Sequence, residues 1–280
     1  MQITTVTSAA ASYYAFFNDL MGDVYSISFD SWHRNGGWGA DYESHSIIED
    51  GKMLANLSIT KIDLLLGGKT VRAHQIGAVA TRECARGRGL SRRLMEHIFA
   101  LYPDVPAFLF ANQTVLEFYP RFGFRQVQMS RTEIELSINN PPTMAVRLTP
   151  DEAIAALDRR RVFSGVIDCT NTRSIQMFHL LGEFSDCAYR LPNCGAVVVA
   201  QQEGARLFIA DIIAESPINF TEIAKELPFS GVTNVAFWFT PDAFGVEPNW
   251  KPLDMKAVPF FVRGDLELPR HFHYPATSET

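Results

Sequence analysis

Several things are missing from this chain, and each absence narrows what it can be. No apolar run approaches the roughly 18 residues needed to cross a bilayer, so no spanning helix is expected. The first residues carry neither a basic patch nor a clean apolar stretch, which argues against a secretory leader. Cys84, Cys169, Cys187 and Cys194 form no CxxC pair and read as reduced thiols, although Cys187 and Cys194 are spaced to meet across a hairpin. Together these absences predict a cytoplasmic protein. Outside residues 82–93 there is no strongly basic block, and the formal net charge is -6, so general nucleic-acid binding is not expected. His271 and His273 have no further ligand-type residues clustered around them, so they read as surface tail and no metal is expected.

Two nucleotide signatures are also missing. A P-loop needs GxxxxGK[ST], but Gly68-Lys69-Thr70 lacks the upstream glycine and lies between two strand-like runs. Gly87-Arg88-Gly89 is not followed by the third glycine of GxGxxG.

What is present begins at residues 78–94. An apolar strand ending in Val79-Ala80-Thr81 runs into an Arg/Gly loop, which opens an amphipathic helix with Leu90, Leu94, Ile98 and Leu101 on one stripe. A helix N-terminus preceded by glycines turns several unpaired N–H groups toward one point, which suits a pyrophosphate. Residues Arg86-Gly87-Arg88-Gly89-Leu90-Ser91 are an instance of [QR]xxGx[GA], with Ser91 at the final small position.

Upstream, Asp50-Gly51 and Gly67-Gly68 mark two hairpins, giving an antiparallel meander that feeds this loop. Met53, Ala55, Leu57 and Ile59 alternate with more polar neighbours, as expected of a half-buried strand. Downstream come a short strand at 107–111, a short helix at 114–121, and a strand from Phe124. Asn139-Asn140-Pro141-Pro142 suggests a boundary, dividing the chain into domains 1–140 and 141–280. Beyond it, Thr149-Pro150-Asp151-Glu152 is a capping box. Helices are expected at 171–182 and 219–226, and strands at 196–202, 205–213 and 232–240.

The Arg86–Ser91 loop, together with Asn112 and the Tyr119 to Gly123-Phe124 spacing, resembles the GNAT superfamily of acyl-CoA-dependent N-acyltransferases. The resemblance narrows to the bacterial two-domain type, similar to the enhanced-intracellular-survival acetyltransferases. It implies an α+β GNAT fold: a mixed, mostly antiparallel splayed sheet flanked by helices. A second, degenerate GNAT-like domain without the coenzyme loop would follow.

The resemblance also implies acetyl-CoA as co-substrate and a primary amine as acceptor, either a small molecule or a peptide. Val79, Ala80 and Thr81 would pair with the pantetheine arm, while Arg86, Gly87, Arg88, Gly89, Leu90 and Ser91 would hold the pyrophosphate. Asn112 would contact the cofactor or cap the next helix. Tyr119 would act as general acid toward the leaving thiolate. In many relatives a carboxylate on the strand before the loop takes the amine proton, but Gln75 stands near that position here. His74 is the neighbouring candidate base; Glu43, Asp63 and the chain terminus at Thr280 remain open. Trp32, His33 and Trp38 would either line an acceptor pocket or pack between the halves. The rival reading is a non-catalytic acyl-CoA sensor or partner-binding protein. Homo-oligomerisation is left open.

Overall fold

The structure, a computed structural model, describes residues 2–8, 10–247 and 249–280. Strand β1 (Ile3–Val6) leads to helix α1 (Ala11–Tyr25), which buries Tyr13, Phe17, Leu20 and Met21. Helix α2 (Asp30–Arg34) buries Trp32. The meander is β2 (Tyr42–Glu49), β3 (Lys52–Leu66) and β4 (Lys69–Thr81). Its turns have positive φ at Asp50, Gly51, Gly67 and Gly68, the geometry that tight hairpins demand. Helix α3 (Leu90–Leu101), β5 (Ala107–Phe110), β6 (Arg125–Val127) and β7 (Ser130–Ile138) follow.

The short helix expected at 114–121 is instead two 3-10 turns, Gln113–Val115 and Tyr119–Phe122. Pro120 has no N–H to continue an α-helical ladder.

The rest of the chain is β8 (Val146–Arg147), α4 (Pro150–Ala156), β9 (Ile167–Thr170), α5 (Arg173–Leu181), β10 (Ala188–Leu191) and β11 (Ala196–Glu203). Then come β12 (Arg206–Ile213), α6 (Phe220–Glu226), β13 (Val232–Phe237), β14 (Asn249–Pro252) and β15 (Phe260–Arg263). The capping box at Thr149 forms, with the backbone and side chain of Thr149 both bound by Glu152.

Two mixed, mostly antiparallel sheets result. The first runs β1-β2-β3-β4-β5-β15-β6, with β9 also on β3; the second runs β14-β7-β13-β12-β11-β10-β8. The boundary expected at 140/141 is therefore crossed in both directions. Strand β7 from the first half pairs with β13, and β15 from the second half lies between β5 and β6. Phe260, Phe261 and Val262 are all buried, so β15 needs an interior position with both faces covered. One core joins α1 and Trp32 to Ile154, Met177, Val197 and Val199 of the second half.

The half-buried strand expected at 53–60 is buried on both faces. Ala55, Leu57 and Ile59 pack in the core beneath α3, while Asn56 and Ser58 form a polar network on the α1 side.

Candidate active site

Strands β4 and β5 run parallel only at His74–Ala107 and Gln75–Phe108. Beyond that point β5 stays with β15, whereas β4 follows β3, so a gap opens between them. Strand β4 bulges there. Asn56 is opposite Ala80 and Ser58 is opposite Gly77, leaving Ala78 and Val79 outside the register. Ala78 takes φ 47, a left-handed conformation costly for a residue with a Cβ. Asn56 holds it, donating its amide to the Ala78 carbonyl at 2.9 Å. Asn56 is itself fixed by Ser44 at 2.6 Å and Ser58 at 3.0 Å, and Tyr42 donates to Ser58 at 2.8 Å. Sequence reasoning missed this buried group, because Asn and Ser in a strand ordinarily signal a solvated face.

The Arg/Gly loop closes one end of the gap. Gly87 and Gly89 have positive φ, and a Cβ added at either would meet nothing within 4 Å, so open space surrounds the backbone. Helix α3 starts at Gly89 without a side-chain cap and without an acidic residue in its first turn. Its first helical bond is Arg93 N–H to Gly89, so the preceding N–H groups have no acceptor within the helix. The Ser91 and Thr81 hydroxyls bond at 2.7 Å, giving Ser91 a role where the motif has Gly or Ala.

At the other end sit residues from the C-terminal segment. Thr280 Oγ1 donates to the Ile76 carbonyl at 3.0 Å and accepts from Gln75 Nε2 at 3.1 Å. A Cβ on Gly77 would stand 2.9 Å from the Thr280 side chain, so this close approach needs glycine. Tyr274 donates to the other end of Gln75 at 3.2 Å. The penultimate residue, Glu279, also lines the gap; burial, then Glu183, pushes its carboxyl up to about 8. His179 bonds the Glu279 backbone carbonyl at 2.8 Å.

The result is a cleft of about 740 Å³. Among the expected site residues, Val79, Thr81, Arg86, Ser91, Asn112 and Tyr119 line it. Tyr119 is buried against Phe118, Phe124 and Phe261, and among the described residues no protein group hydrogen-bonds its hydroxyl. Burial, then the Tyr25 phenol, raises its pKa well above the ordinary tyrosine value. Asn112 caps the following turn, accepting from Thr114 N at 2.9 Å. The Val79 carbonyl accepts from the Tyr25 hydroxyl.

Other candidates lie elsewhere. His74 is not in the cleft: it packs edge-on against Tyr102 at 4.6 Å, and burial lowers its pKa to about 4. Glu43 is buried with Lys61, Tyr102 and His45, and Asp63 pairs with Arg72 and Asn171. Ala80 and Leu90 turn their side chains into the core, leaving only their backbone for a ligand. Arg88, one of the residues expected to hold the pyrophosphate, instead donates from Nη2 to both Glu49 carboxylate oxygens at 3.0 Å; Arg86 is the arginine at the cleft. Trp32 lines the cleft and also bridges the halves, donating to the Ser174 carbonyl at 2.8 Å. His33 stacks on Tyr14. His273 is buried rather than part of a surface tail, and no cluster of metal-ligating residues occurs among the described residues.

Arg82 was also missed. Only 3% of its surface is exposed, and it binds Asp19 and Asp23 on α1 while donating to the Met53 carbonyl at 2.8 Å. It pins α1, and hence Tyr25, against the end of β4. Arg82→Ala should cost about 2 kcal/mol, since it strips partners from a buried carbonyl and two half-exposed carboxylates. Urea unfolding would measure this as a lower midpoint at unchanged slope.

A splayed parallel pair, a strand bulge and an uncapped helix N-terminus frame a cleft that suits an extended ligand with an anionic end. Residues 7–127 match the family model described as an acetyltransferase (GNAT) domain. That segment is similar to the GNAT acetyltransferases, a family that uses acetyl-CoA as co-substrate. Solved structures agree in fold. A conserved protein from Enterococcus faecalis V583, described as a "Probable N-Acyltransferase", superposes with a TM-score of 0.59 at 15% identity, over 94% of this chain and 72% of that one. A GCN5-related N-acetyltransferase from Kribbella flavida gives 0.55 at 14% identity, over 93% and 70% of the two chains. Eis1 from Mycobacterium abscessus gives 0.54 at 13% identity, over 85% of this chain and 65% of its own length. No curated protein matches the chain by sequence. Among the described residues no helix is long and apolar enough to cross a membrane.

Proposed function

We propose that this protein moves an acetyl group from acetyl-CoA to a primary amine by direct attack in a ternary complex. What carries this reading is one cleft that joins an uncapped helix N-terminus to a phenol with no protein hydrogen-bond partner among the described residues, Tyr119. The N–H groups opening α3 and the Arg86 guanidinium would hold the pyrophosphate. The bulge takes Ala78 and Val79 out of the β-ladder; with their carbonyls bonded by Asn56 and Tyr25, their N–H groups are the kind that pair with a pantetheine arm and stabilise an oxyanion.

Glu279 would take the proton from the ammonium acceptor, its raised carboxyl placing the base near neutral pH. The amine nitrogen then bonds the acetyl carbon and the carbon–sulfur bond breaks. Tyr119, held protonated by its raised pKa, would give its proton to the departing sulfur, and the phenolate would regain one from the acylated nitrogen, leaving the neutral amide. The reading implies a cytoplasmic enzyme, where acetyl-CoA is available.

We also take the second half to be a GNAT-like unit that has lost coenzyme binding. Its helix α6 is capped by Asn219, which accepts from Thr221 N at 2.9 Å, and Glu222 stands in its first turn. That helix start is closed to an anion, unlike α3.

Calorimetric titration with acetyl-CoA tests the site. Wild-type protein should bind in the micromolar range. Arg86→Glu should weaken binding at least tenfold, and Arg88→Glu less than threefold because Arg88 faces Glu49. No binding by folded wild-type protein would sink the reading. Turnover with any amine would remove the rival sensor reading.

A further inference from the structure

We propose that Asn56 is a positioning residue for acyl transfer: it holds the Ala78–Val79 peptide so that the N–H groups of the bulge face the thioester oxygen. The inference rests on the acyltransfer reading above and adds a residue to that site.

The direction of each N–H follows from the bonds around it. Gly77 pairs with Ser58 on β3, whereas the His74 N–H turns the other way, to the Pro106 carbonyl just before β5. The register is regular from His74 to Gly77, so the Ala78 N–H also turns away from β3. There β5 has already parted from β4. The Val79 N–H is set differently. Asn56 donates from Nδ2 to the Ala78 carbonyl at 2.9 Å. In a trans peptide the N–H lies opposite the carbonyl, so the Val79 N–H points away from Asn56. The Val79 carbonyl is taken by the Tyr25 hydroxyl. The bulge therefore leaves donors open and not acceptors, as an oxygen gathering negative charge requires.

Ala78 would not keep this arrangement alone. Its φ of 47 is costly for a residue with a Cβ, and a peptide free to rotate could turn its carbonyl to the thioester. Asn56 prevents that rotation and is itself held from several sides. It is fully buried, with Ser44, Ser46 and Ser58 buried around it. Ser44 donates to its Oδ1 at 2.6 Å, Tyr13 bonds Ser44 at 2.7 Å, and Tyr42 bonds Ser58 at 2.8 Å. The amide has one usable orientation. Serine hydroxyls donate or accept, but the Ala78 carbonyl only accepts, so Nδ2 must face it. An apolar side chain here would leave that buried carbonyl without a donor.

The test compares wild type with Asn56→Leu and Ser44→Ala. Calorimetry gives the acetyl-CoA affinity, and isotope labelling at the thioester carbon isolates the infrared carbonyl band of bound acetyl-CoA. Turnover is measured with the fastest acceptor among spermidine, kanamycin and 2-phenylethylamine. In wild type the bound band should lie below its position in water, because aligned N–H donors weaken the C=O bond. Asn56→Leu should raise the band and lower kcat about thirtyfold, with acetyl-CoA affinity within about threefold of wild type. Ser44→Ala keeps the Asn56 amide but removes the donor on its Oδ1, so band and kcat should move the same way by less.

A wild-type band at its position in water overturns the proposal. So does an unmoved band in Asn56→Leu, or equal losses of kcat and acetyl-CoA affinity, which would make Asn56 structural only. If Asn56→Leu does not fold, Ser44→Ala decides by the same readings. The infrared reading needs no acceptor, so it decides even where none of the three amines is acetylated. Folded wild-type protein that does not bind acetyl-CoA would sink the acyltransfer reading itself, which separates the two failures.

Discussion

Tyr119→Phe should lower kcat about a hundredfold while leaving acetyl-CoA affinity within about threefold, the signature of a lost general acid. The substitution removes one oxygen from a buried ring packed among Phe118, Phe124 and Phe261, so the packing survives. Among the described residues the hydroxyl bonds no protein group, so no partner is stranded and stability should change little. The pH profile separates this role from a structural one. Tyr119 has a raised pKa and stays protonated through the working range, so it adds no limb to the wild-type profile at neutral pH. Its removal should therefore lower the plateau without moving the limb set by the base. Equal losses in kcat and in acetyl-CoA affinity would mean that the hydroxyl serves binding or structure and not proton transfer.

Glu279→Gln should have the second large effect, a fall in kcat/KM of about a hundredfold at pH 8.5. The carboxyl is held up to about 8 by burial and by Glu183, so wild-type kcat/KM should rise with pH through that value as the base ionises. In the variant this limb should disappear. The stability linkage runs the opposite way. A carboxyl whose folded pKa lies above its unfolded one opposes folding once it ionises, first in the unfolded chain and then in the folded one. Glu279→Gln should therefore melt no lower than wild type at pH 9, and melting at higher temperature is expected. A variant that loses both activity and melting temperature would mark Glu279 as structural. An unchanged limb near pH 8 would assign the base to another group.

Local chemistry made much of the first half legible. Positive φ at Asp50-Gly51 and Gly67-Gly68, the apolar stripe of α3 and the glycines of the Arg/Gly loop are each set by neighbours a few residues away. Tyr119 reached the cleft because its spacing to Gly123-Phe124 is likewise short-range. The proposed base, Glu279, was not legible, although the neighbouring Thr280, one of the candidates left open, does line the cleft. Glu279 lies far along the chain from Gln75, and no periodicity announces that the C-terminal segment returns to β4. His74 was the first candidate because it adjoins Gln75; its packing against Tyr102 takes it out of the cleft.

The sequence by itself determined that the chain has a strand, an Arg/Gly loop and a helix N-terminus able to hold an anion, because those features depend on backbone freedom and side-chain size at adjacent positions. Tertiary structure alone decided which sheet receives each strand. An alternating or apolar strand pairs equally well with any edge of suitable register, so neither the transfer of β15 into the first sheet nor that of β7 into the second is written in their own residues. It also decided that Asn56 props a strained bulge, that Arg88 turns to Glu49 while Arg86 faces the cleft, and that Phe178 meets Phe29. These are pairings between residues distant in sequence, and their energies exist only once the segments that carry them have packed.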